Sequence, residues 1–457
     1  MKRFLQIALA CSLALPVLAQ GGKDDIVLHS PLKYAREHAF STMQLSQAWT
    51  KVLDAKTKQA VKDFSQSRTL ELRQIVLETN ANGGLTKILL TVTAQLNLKV
   101  TVPKEDAFEQ RVELKNVHVD VAFVDGTWQI DTESIRSKDM KSLTGAELHL
   151  LRRAVRDALQ IHARPDLLLL PEKVAAGTTK ITPTLEQLSR WSAAANESGR
   201  LVGSATDAEF TLRSIKSMGN AKALSGQVRL LVPVEKESVK ATMALSFEID
   251  DFSGLVRQRR VKTELNTTVG TNVIQSTITG LEGTDLVLSN KPISAPTGPF
   301  NALGWKVEKD ASTWRDVQMG VGLALPKDAR QRAGQASWDF PGGGSVSVEI
   351  RHRDFWPTLE QVLESGVENL RREELGLKDI KPGQPFRLAD GLPAAIVHAR
   401  SQDGKTAILV LLTADGPRTI AVSAATPATD KTRLAQLEQT LRSLRVTDPR
   451  PADTEKK

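Results

Sequence analysis

Residues 90–102 read LTVTAQLNLKVTV, and apolar and polar side chains alternate along this stretch without a break. Its apolar members are Leu90, Val92, Ala94, Leu96, Leu98, Val100 and Val102. A period of two is the pattern of a β-strand that has one face on a core and the other in water. Sheets built from strands of this length twist and curl. The stretch therefore predicts a strand of a curved sheet.

The same alternation recurs on both sides of this strand. Residues 111–124 alternate with a change of phase near Lys115 and Asn116, which predicts a bulge. Asp125-Gly126 then predicts a hairpin turn into residues 128–130. Residues 239–249 alternate again, and further strands are expected up to residue 268 and over 272–288.

Two helices interrupt these strands. Thr144 and Glu147 form a capping box that opens a helix over 144–162, and a second helix fits 184–196. We therefore expect a β-rich region over residues 31–290, with two sheet halves that divide near 140–200. Residues 34–64 are ambiguous, because apolar residues such as Leu45, Trp49 and Leu53 recur at helical spacing. We favour a helix over 45–64.

Residues 291–300 are rich in proline and predict a linker to a third region, over 301–446. That region shows a strand ending at Pro326, a strand over 345–352, and a helix opened by the capping box of Thr358 and Gln361. Gly376 is a candidate C-cap. Strands over 394–400, 406–413 and 418–425, joined by Asp-Gly turns, precede a last helix. Residues 447–457 are expected to be a disordered tail.

The third region resembles the PsbP-like α/β/α domain. The resemblance is carried by residues 323–326 (LALP), 345–348 (SVSV), 359–368 and 441–444 (LRSL). Residues 170–191 and 239–257 loosely resemble exported bacterial β-rich proteins. Together these likenesses imply an α+β fold, in which an antiparallel β-rich N-terminal region, as a curved sheet or sandwich with a few helices, precedes a PsbP-like α/β/α sandwich. They imply binding or assembly and transfer no functional residue.

The N-terminus is typical of a secretory signal peptide over residues 1–19. Lys2 and Arg3 precede an apolar stretch, Pro16 follows it, and small side chains lead to a cut before Gln20. Cys11 lies too early in the apolar stretch for a lipid anchor, so we do not expect lipoprotein anchoring. It is also the chain's one cysteine. The sequence thus predicts an exported, periplasmic or extracellular protein whose mature chain lacks cysteine and any transmembrane segment.

Charge gives little indication of a partner. The chain of 457 residues has a formal net charge of +8 from 61 basic and 53 acidic residues. The excess is spread along the sequence and is not interleaved with aromatic residues, so nucleic acid is not an expected partner. A solvated basic surface is the simpler interpretation.

No motif specifies a catalytic, cofactor or metal site. The chain lacks a Gly-x-Ser-x-Gly elbow and a His-Glu-x-x-His pair, and its seven histidines are scattered. Ser30 and Lys33 match Ser-x-x-Lys without the partner motifs of the serine hydrolases that use it. We therefore predict that the protein is not an enzyme and has no catalytic residues, no cofactor and no metal.

Two constellations remain as binding candidates, each beside a simpler structural interpretation. Arg351 and Arg353 share one strand face with Glu349. This face could be an anion-binding or partner-docking patch, and the simpler interpretation is a solvated strand face. Arg257 and Arg259 point to the core side of their strand and must reach the rim, pair with carboxylates or line a cleft. A group of tryptophans could bind sugars or peptides, although core packing is the commoner role: Trp305, Trp314, Trp338 and Trp356.

These observations favour an exported, non-catalytic envelope protein with a binding or assembly role, whose partner is an unknown envelope protein or ligand. A carrier that holds an apolar ligand or lipid in a curved sheet is the first alternative. An unrecognised hydrolase that gathers its groups from distant segments is the second.

Overall fold

The structure, a computed structural model, describes residues 25–28, 34, 38–124, 127–131, 133–137, 142–197, 203–215, 221–234, 237–250, 254–287, 313–316, 319–332 and 335–447. The predicted signal peptide, the linker over 291–300, the tail after residue 447, Ser30 and Trp305 lie outside these ranges. Strands dominate the described residues, and all of their pairings are antiparallel.

Eleven strands form what we call the large sheet. In spatial order they are β6 (Thr127–Ile130), β5 (Phe108–Val124), β4 (Leu85–Thr101), β3 (Ala60–Thr79), β2 (Ala39–Asp54), β13 (Asn272–Val287), β12 (Val256–Val269), β11 (Glu237–Asp250), β10 (Ala221–Val234), β9 (Ser204–Ile215) and β8 (Lys180–Ile181). The pairing of β2 with β13 joins the N-terminal and C-terminal halves into one sheet.

Eight strands form what we call the C-terminal sheet: β16 (Arg330–Gln331), β17 (Ser337–Asp339), β18 (Ser345–His352), β23 (Arg418–Pro427), β22 (Thr406–Asp415), β21 (Pro393–Ser401), β19 (Leu377–Pro382) and β20 (Phe386–Arg387). Smaller sheets pair β1 (Ile26–Val27) with β7 (Lys173–Val174), and join β14 (Thr313–Asp316), β15 (Val321–Ala324) and β24 (Arg445–Val446).

Four α-helices lie within the described residues: α1 (Gly145–Ala163), α2 (Leu185–Glu197), α3 (Leu359–Leu370) and α4 (Lys431–Arg442), with 3₁₀ turns at Pro165–Leu169 and Glu373–Leu375. The capping boxes predicted at Thr144 and Thr358 are both formed. Helix α1 packs on β3, β4 and β5 of the large sheet and on β22 of the C-terminal sheet. It therefore stands where the two sheets meet.

The predicted fold class is wrong. The chain is mostly β, with large antiparallel sheets and four described helices, and not an α+β protein that ends in an α/β/α sandwich. Helices α3 and α4 lie on opposite faces of the C-terminal sheet, against Val410 and Leu409 respectively, but each has only 12 residues beside eight strands. The caps located the helices correctly, yet caps do not reveal how much sheet surrounds them.

The helix predicted over 45–64 is also wrong, because this segment forms β2, a turn and the start of β3. Leu45, Trp49 and Leu53 are spaced by four. Four is a multiple of two, so such residues share one face of a strand as well as one face of a helix. The expected bulge is present: the register shifts between Val92 and Ala94, so that Lys115 and Asn116 together oppose one residue of β4. The hairpin into β6 is confirmed as well.

Candidate functional site

The inner face of the large sheet, which is the face that meets the helices, has an apolar core at each end. Below α1, the side chains of β3, β4 and β5 join a core that continues into the C-terminal sheet. At the other end, Trp191 of α2 belongs to a second core together with Phe210, Met243 and Phe247 of β9 and β11. The central strands β2 and β13 lie between these two cores.

A belt of buried polar groups, which we call the polar belt, crosses the inner face at this centre. Gln44 of β2 donates from Nε2 to Oε2 of Glu282 on β13 at 2.9 Å, and the hydroxyls of Thr42 and Thr284 lie 3.2 Å apart. All four residues are at most 8% exposed. Arg68 of β3 donates to Oε1 of Gln44 at 3.4 Å. The belt thus joins the two sheet halves through side chains as well as through the backbone.

Two ion pairs attach the polar belt to the segments above it. Arg68 lies 2.6 Å from Asp157 of α1. Arg259 of β12 donates from Nε to Oδ2 of Asp166 at 2.5 Å, and the indole of Trp191 donates to Oδ1 of the same carboxylate at 3.3 Å. Burial alone would lower the pKa of Arg259 and is the largest single effect, but the combined attraction of Asp166, Glu282 and Asp157, together with the hydrogen bond to Asp166, raises that pKa. Arg259, which the sequence analysis expected to reach the rim, pair with carboxylates or line a cleft, thus pairs with the carboxylate of Asp166.

Arg257 takes a different position from Arg259. It lies at a register shift between β11 and β12, where the strand bulges. Its half-exposed guanidinium approaches Oδ1 of Asp250 at 3.3 Å. Because the guanidinium is open to solvent, this pair contributes less than a buried one, and Arg257 does not belong to the polar belt.

Beyond the polar belt the inner face opens into what we call the trough. Its floor consists of Ser46, Ala48, Thr50 and Val52 from β2 and Ile274, Ser276, Ile278 and Gly280 from β13, and every one of these residues is half-buried or exposed. Ile278 is 46% exposed. Phe64 borders the trough on one side, and Val261 and Leu265 border it on the other as margins of the two cores. Among the described residues, the helices pack on other strands.

The composition of the trough suits a narrow apolar chain. Its floor residues are small or apolar, and the hydroxyls of Thr50 and Ser276 lie 2.9 Å apart, so they satisfy each other. A Cβ added at Gly280 would meet its nearest neighbour, on Val261, only at 4.0 Å. Contiguous exposed apolar surface of this kind is typical of ligand-binding grooves and interaction sites.

A loop of the C-terminal region closes one side of the trough. Asp354 forms an ion pair with Lys62 of β3, and Phe355 stacks against Phe108 at 5.2 Å between ring centroids. The backbone of Trp356 makes two hydrogen bonds with the Gln110 side chain, at 2.6 and 2.7 Å. The residues that directly follow the predicted docking patch of Arg351 and Arg353 thus contact this chain's own β3 and β5.

The other candidates on this segment stay apart from the trough. Arg351 donates to Glu349 at 2.6 Å on an exposed strand face. Arg353 is exposed, and its backbone amide donates to the carbonyl of Pro417 at 2.7 Å. The structure therefore places these two arginines on a solvated surface.

The described members of the predicted tryptophan group, Trp314, Trp338 and Trp356, do not form one binding surface. Trp314 and Trp338 make an edge-to-face pair with centroids 4.8 Å apart, within the first core. Trp356 lies elsewhere, 4% exposed and 5.0 Å from the ring of His149. Their contacts are those of core packing.

Sequence reasoning missed a buried ion cluster where α1 meets the C-terminal sheet. Asp415 is fully buried and forms ion pairs with Arg152 and Arg418, while Nδ1 of His149 lies 3.1 Å from its Oδ1. Burial alone would raise the pKa of Asp415, but the attraction of Arg152 and His149 holds it well below its usual range. The sequence signal was the Asp-Gly pair, which predicted a turn and nothing more.

Within the ranges that the structure describes, no group of three or more histidine, cysteine, aspartate or glutamate side chains is arranged to hold a metal ion. None of the helices there combines the length and the hydropathy that a membrane-spanning helix requires.

Neither protein-family models nor curated proteins match the chain. Among solved structures, lipovitellin, in a study of lipid–protein interactions, is similar over 57% of this chain with 11% identity and a TM-score of 0.31. This chain spans 27% of that protein's length. The attachment invasion locus protein Ail of Yersinia pestis matches over 54% of this chain and 99% of its own, with 6% identity and a TM-score of 0.13. At such TM-scores the similarity carries no functional information.

Proposed function

We propose that this protein is a non-catalytic binding protein of the bacterial envelope, which holds the acyl chain of a lipid-like ligand in the trough. One observation carries the proposal. The inner face is buried at Thr42, Gln44, Glu282 and Thr284, and it becomes accessible directly beyond them. Since the same face is covered by helices elsewhere, the accessible part is the place where a ligand can replace protein packing.

The polar belt defines the closed end of this site. It separates the trough from the helices with side chains that already hydrogen-bond one another, so an apolar ligand can stop there without removing their partners. Burial of an acyl chain contributes about 0.8 kcal/mol per methylene group, and a chain that fills the trough with roughly eight methylenes therefore gains about 6 kcal/mol before ordering costs. That gain is enough for reversible binding.

The proposal is tested by fluorescence titration with cis-parinaric acid, a fatty acid that becomes fluorescent in apolar sites. Ile278→Glu places a carboxylate on the trough floor and should weaken probe binding by roughly tenfold or more. Trp49→Glu is the matched control. Trp49 is likewise 46% exposed and lies on the neighbouring strand, but it pairs with Thr277 on the outer face. Its replacement should leave the dissociation constant within about twofold, as expected of a surface change.

Equal weakening by both variants, or no probe binding by the unaltered protein, would refute the trough as the site. Export belongs to the same proposal and rests on the N-terminal sequence. Mass spectrometry of the protein purified from its host should find the mature chain beginning at Gln20, and an intact Met1 would contradict export.

A further inference from the structure

The strand β5 keeps one edge free along its first half. β4 pairs with one side of β5 from Phe108 onward, whereas β6 pairs with the other side only over Val121–Val124. A bridge between His118 and Arg136 extends that cover slightly. In the described part of the chain, residues 108–116 therefore have no strand on their second side, and alternate backbone groups there can accept another strand.

Open space lies beside this edge. A cleft of about 430 Å³ is lined by residues 110–113 together with residues 142–147, residues 356–360, Arg387 and Pro393. Val112 is 6% exposed and Gln110 is fixed by its two hydrogen bonds to Trp356, so the edge is already held in an extended form. A fixed edge loses little conformational entropy when another strand adds to it.

The outer face of the same segment carries alternating charge. Glu109, Arg111, Glu113 and Lys115 occupy every second position, in the order negative, positive, negative, positive. All but Glu113 have side chains that are more than half exposed. Within the chain they form ion pairs with one another or with Lys99, at the surface where such pairs are weak.

This order of charges is complementary to itself in reverse. If two identical strands run antiparallel about a two-fold axis at Val112, residue 111 faces residue 113 of the other copy, and residue 109 faces residue 115. Every outer-face pair then joins a carboxylate to a cation. An axis moved to residue 111 places Arg111 opposite itself and Glu109 opposite Glu113, so that like charges meet. Among axes at residues 110 to 114, only the one at Val112 pairs all four of these charges with opposite charges.

We propose that two copies of this chain associate by antiparallel pairing of their β5 edges over residues 108–116, with the axis at Val112. The large sheets become continuous across the dimer through backbone hydrogen bonds. The charged outer-face pairs set the register.

Sedimentation analysis of the purified chain tests this proposal through two half-exchanged variants. Glu109→Lys/Glu113→Lys makes all four outer-face charges positive, and Arg111→Glu/Lys115→Glu makes them all negative. Each variant alone should dimerise at least roughly tenfold more weakly than the unaltered chain, because every pair is now repulsive. An equimolar mixture of the two should recover the dimer, since each positive face meets a negative one.

The matched control exchanges all four charges at once, by Glu109→Lys/Arg111→Glu/Glu113→Lys/Lys115→Glu. It keeps the self-complementary order and should dimerise as the unaltered chain does. A monomeric unaltered chain at about 100 µM, where even a weak specific dimer is populated, would overturn the proposal. So would half-exchanged variants that dimerise normally, or a mixture that stays monomeric. If the unaltered chain stays monomeric but binds a synthetic peptide of residues 108–116, the edge can pair with an isolated strand, and the dimer of whole chains is still refuted.

Discussion

Replacing Asp415 by asparagine should destabilise the protein strongly, because this carboxylate balances two buried arginines. Asp415 is fully buried, and the side chains of Arg152 and Arg418 that contact it are 9% and 2% exposed. Removing one partner of a buried ion pair costs about 3–5 kcal/mol. Arg152 still donates to the Val446 carbonyl at 2.9 Å, and Arg418 to the Met319 carbonyl at 2.6 Å. We therefore expect the lower end, about 3 kcal/mol.

The chain supplies a matched control at the neighbouring hairpin. Asp403 occupies the equivalent Asp-Gly turn between β21 and β22, but there it is exposed, and its Oδ1 accepts from the Ser401 hydroxyl and the Lys405 amide. Asparagine keeps an acceptor oxygen at that position, so Asp403→Asn should cost less than about 0.5 kcal/mol. Urea unfolding followed by tryptophan fluorescence measures both. An Asp415→Asn variant that matches Asp403→Asn within 1 kcal/mol would refute the assigned role of the cluster.

The same carboxylate predicts an acid dependence with a definite sign. The pKa of Asp415 is depressed in the folded state, and an unfolded aspartate protonates near pH 3.9. Below about pH 4 the unfolded chain therefore binds a proton that the folded chain does not, and stability falls by up to about 1.4 kcal/mol per pH unit. Asp415→Asn should lose this part of the slope below about pH 4 and be less stable than the unaltered chain above about pH 5.

Three further outcomes are expected. Burial lowers the pKa of His162 to about 4, so between pH 6.5 and 4 only the unfolded chain takes up the proton. The free energy of unfolding should therefore fall by about 3 kcal/mol over this range. His162→Gln should flatten that slope in urea titrations. Gly416→Ala should destabilise by about 2–3 kcal/mol and Gly404→Ala by about 1, as measured by thermal unfolding, because both have positive φ but only at Gly416 would the added Cβ collide with a buried ring. Arg259→Ala should cost about 3 kcal/mol by leaving a buried carboxylate unpaired, whereas Arg257→Ala should cost less than 1, and equal costs would contradict the difference in burial between the two ion pairs.

Local features of this fold could be predicted from the sequence because their causes are local. Alternation gave the strands over 90–102 and 239–249, a change of phase gave the bulge at Lys115, and a Thr-x-x-Glu pattern gave the start of α1. Each of these signals depends on side chains within a few residues of one another. The spacing by four in β2 is also a local signal, but it led to a wrong helix prediction because residues four apart share one face of a helix and one face of a strand.

The sheet pairing and the site depend on contacts between distant residues and could not be predicted. Gln44 meets Glu282 across 238 positions, and Arg259 finds Asp166 across 93. The need of Arg259 for a partner was predictable, because a buried unpaired charge is too costly, but the identity of the partner was not. The trough is still harder to recognise in the sequence than these pairs, since Ala48 and Ile278 differ from core residues only in having no helix over them. The prediction of the fold class was wrong for the same reason, because helix caps show where helices begin but not how many strands pair around them.

The trough and the β5 edge can work at the same time, because they lie on different parts of the large sheet. Three strand spacings of about 4.8 Å, or about 14 Å, separate β5 from β2. Pairing at the edge extends the sheet sideways and does not cover the inner face of β2 and β13. In a dimer, each trough therefore stays open while the loop of Phe355, which borders it, lies close to the shared edge. Any effect of dimerisation on ligand binding should thus pass through that loop and not through the floor of the trough.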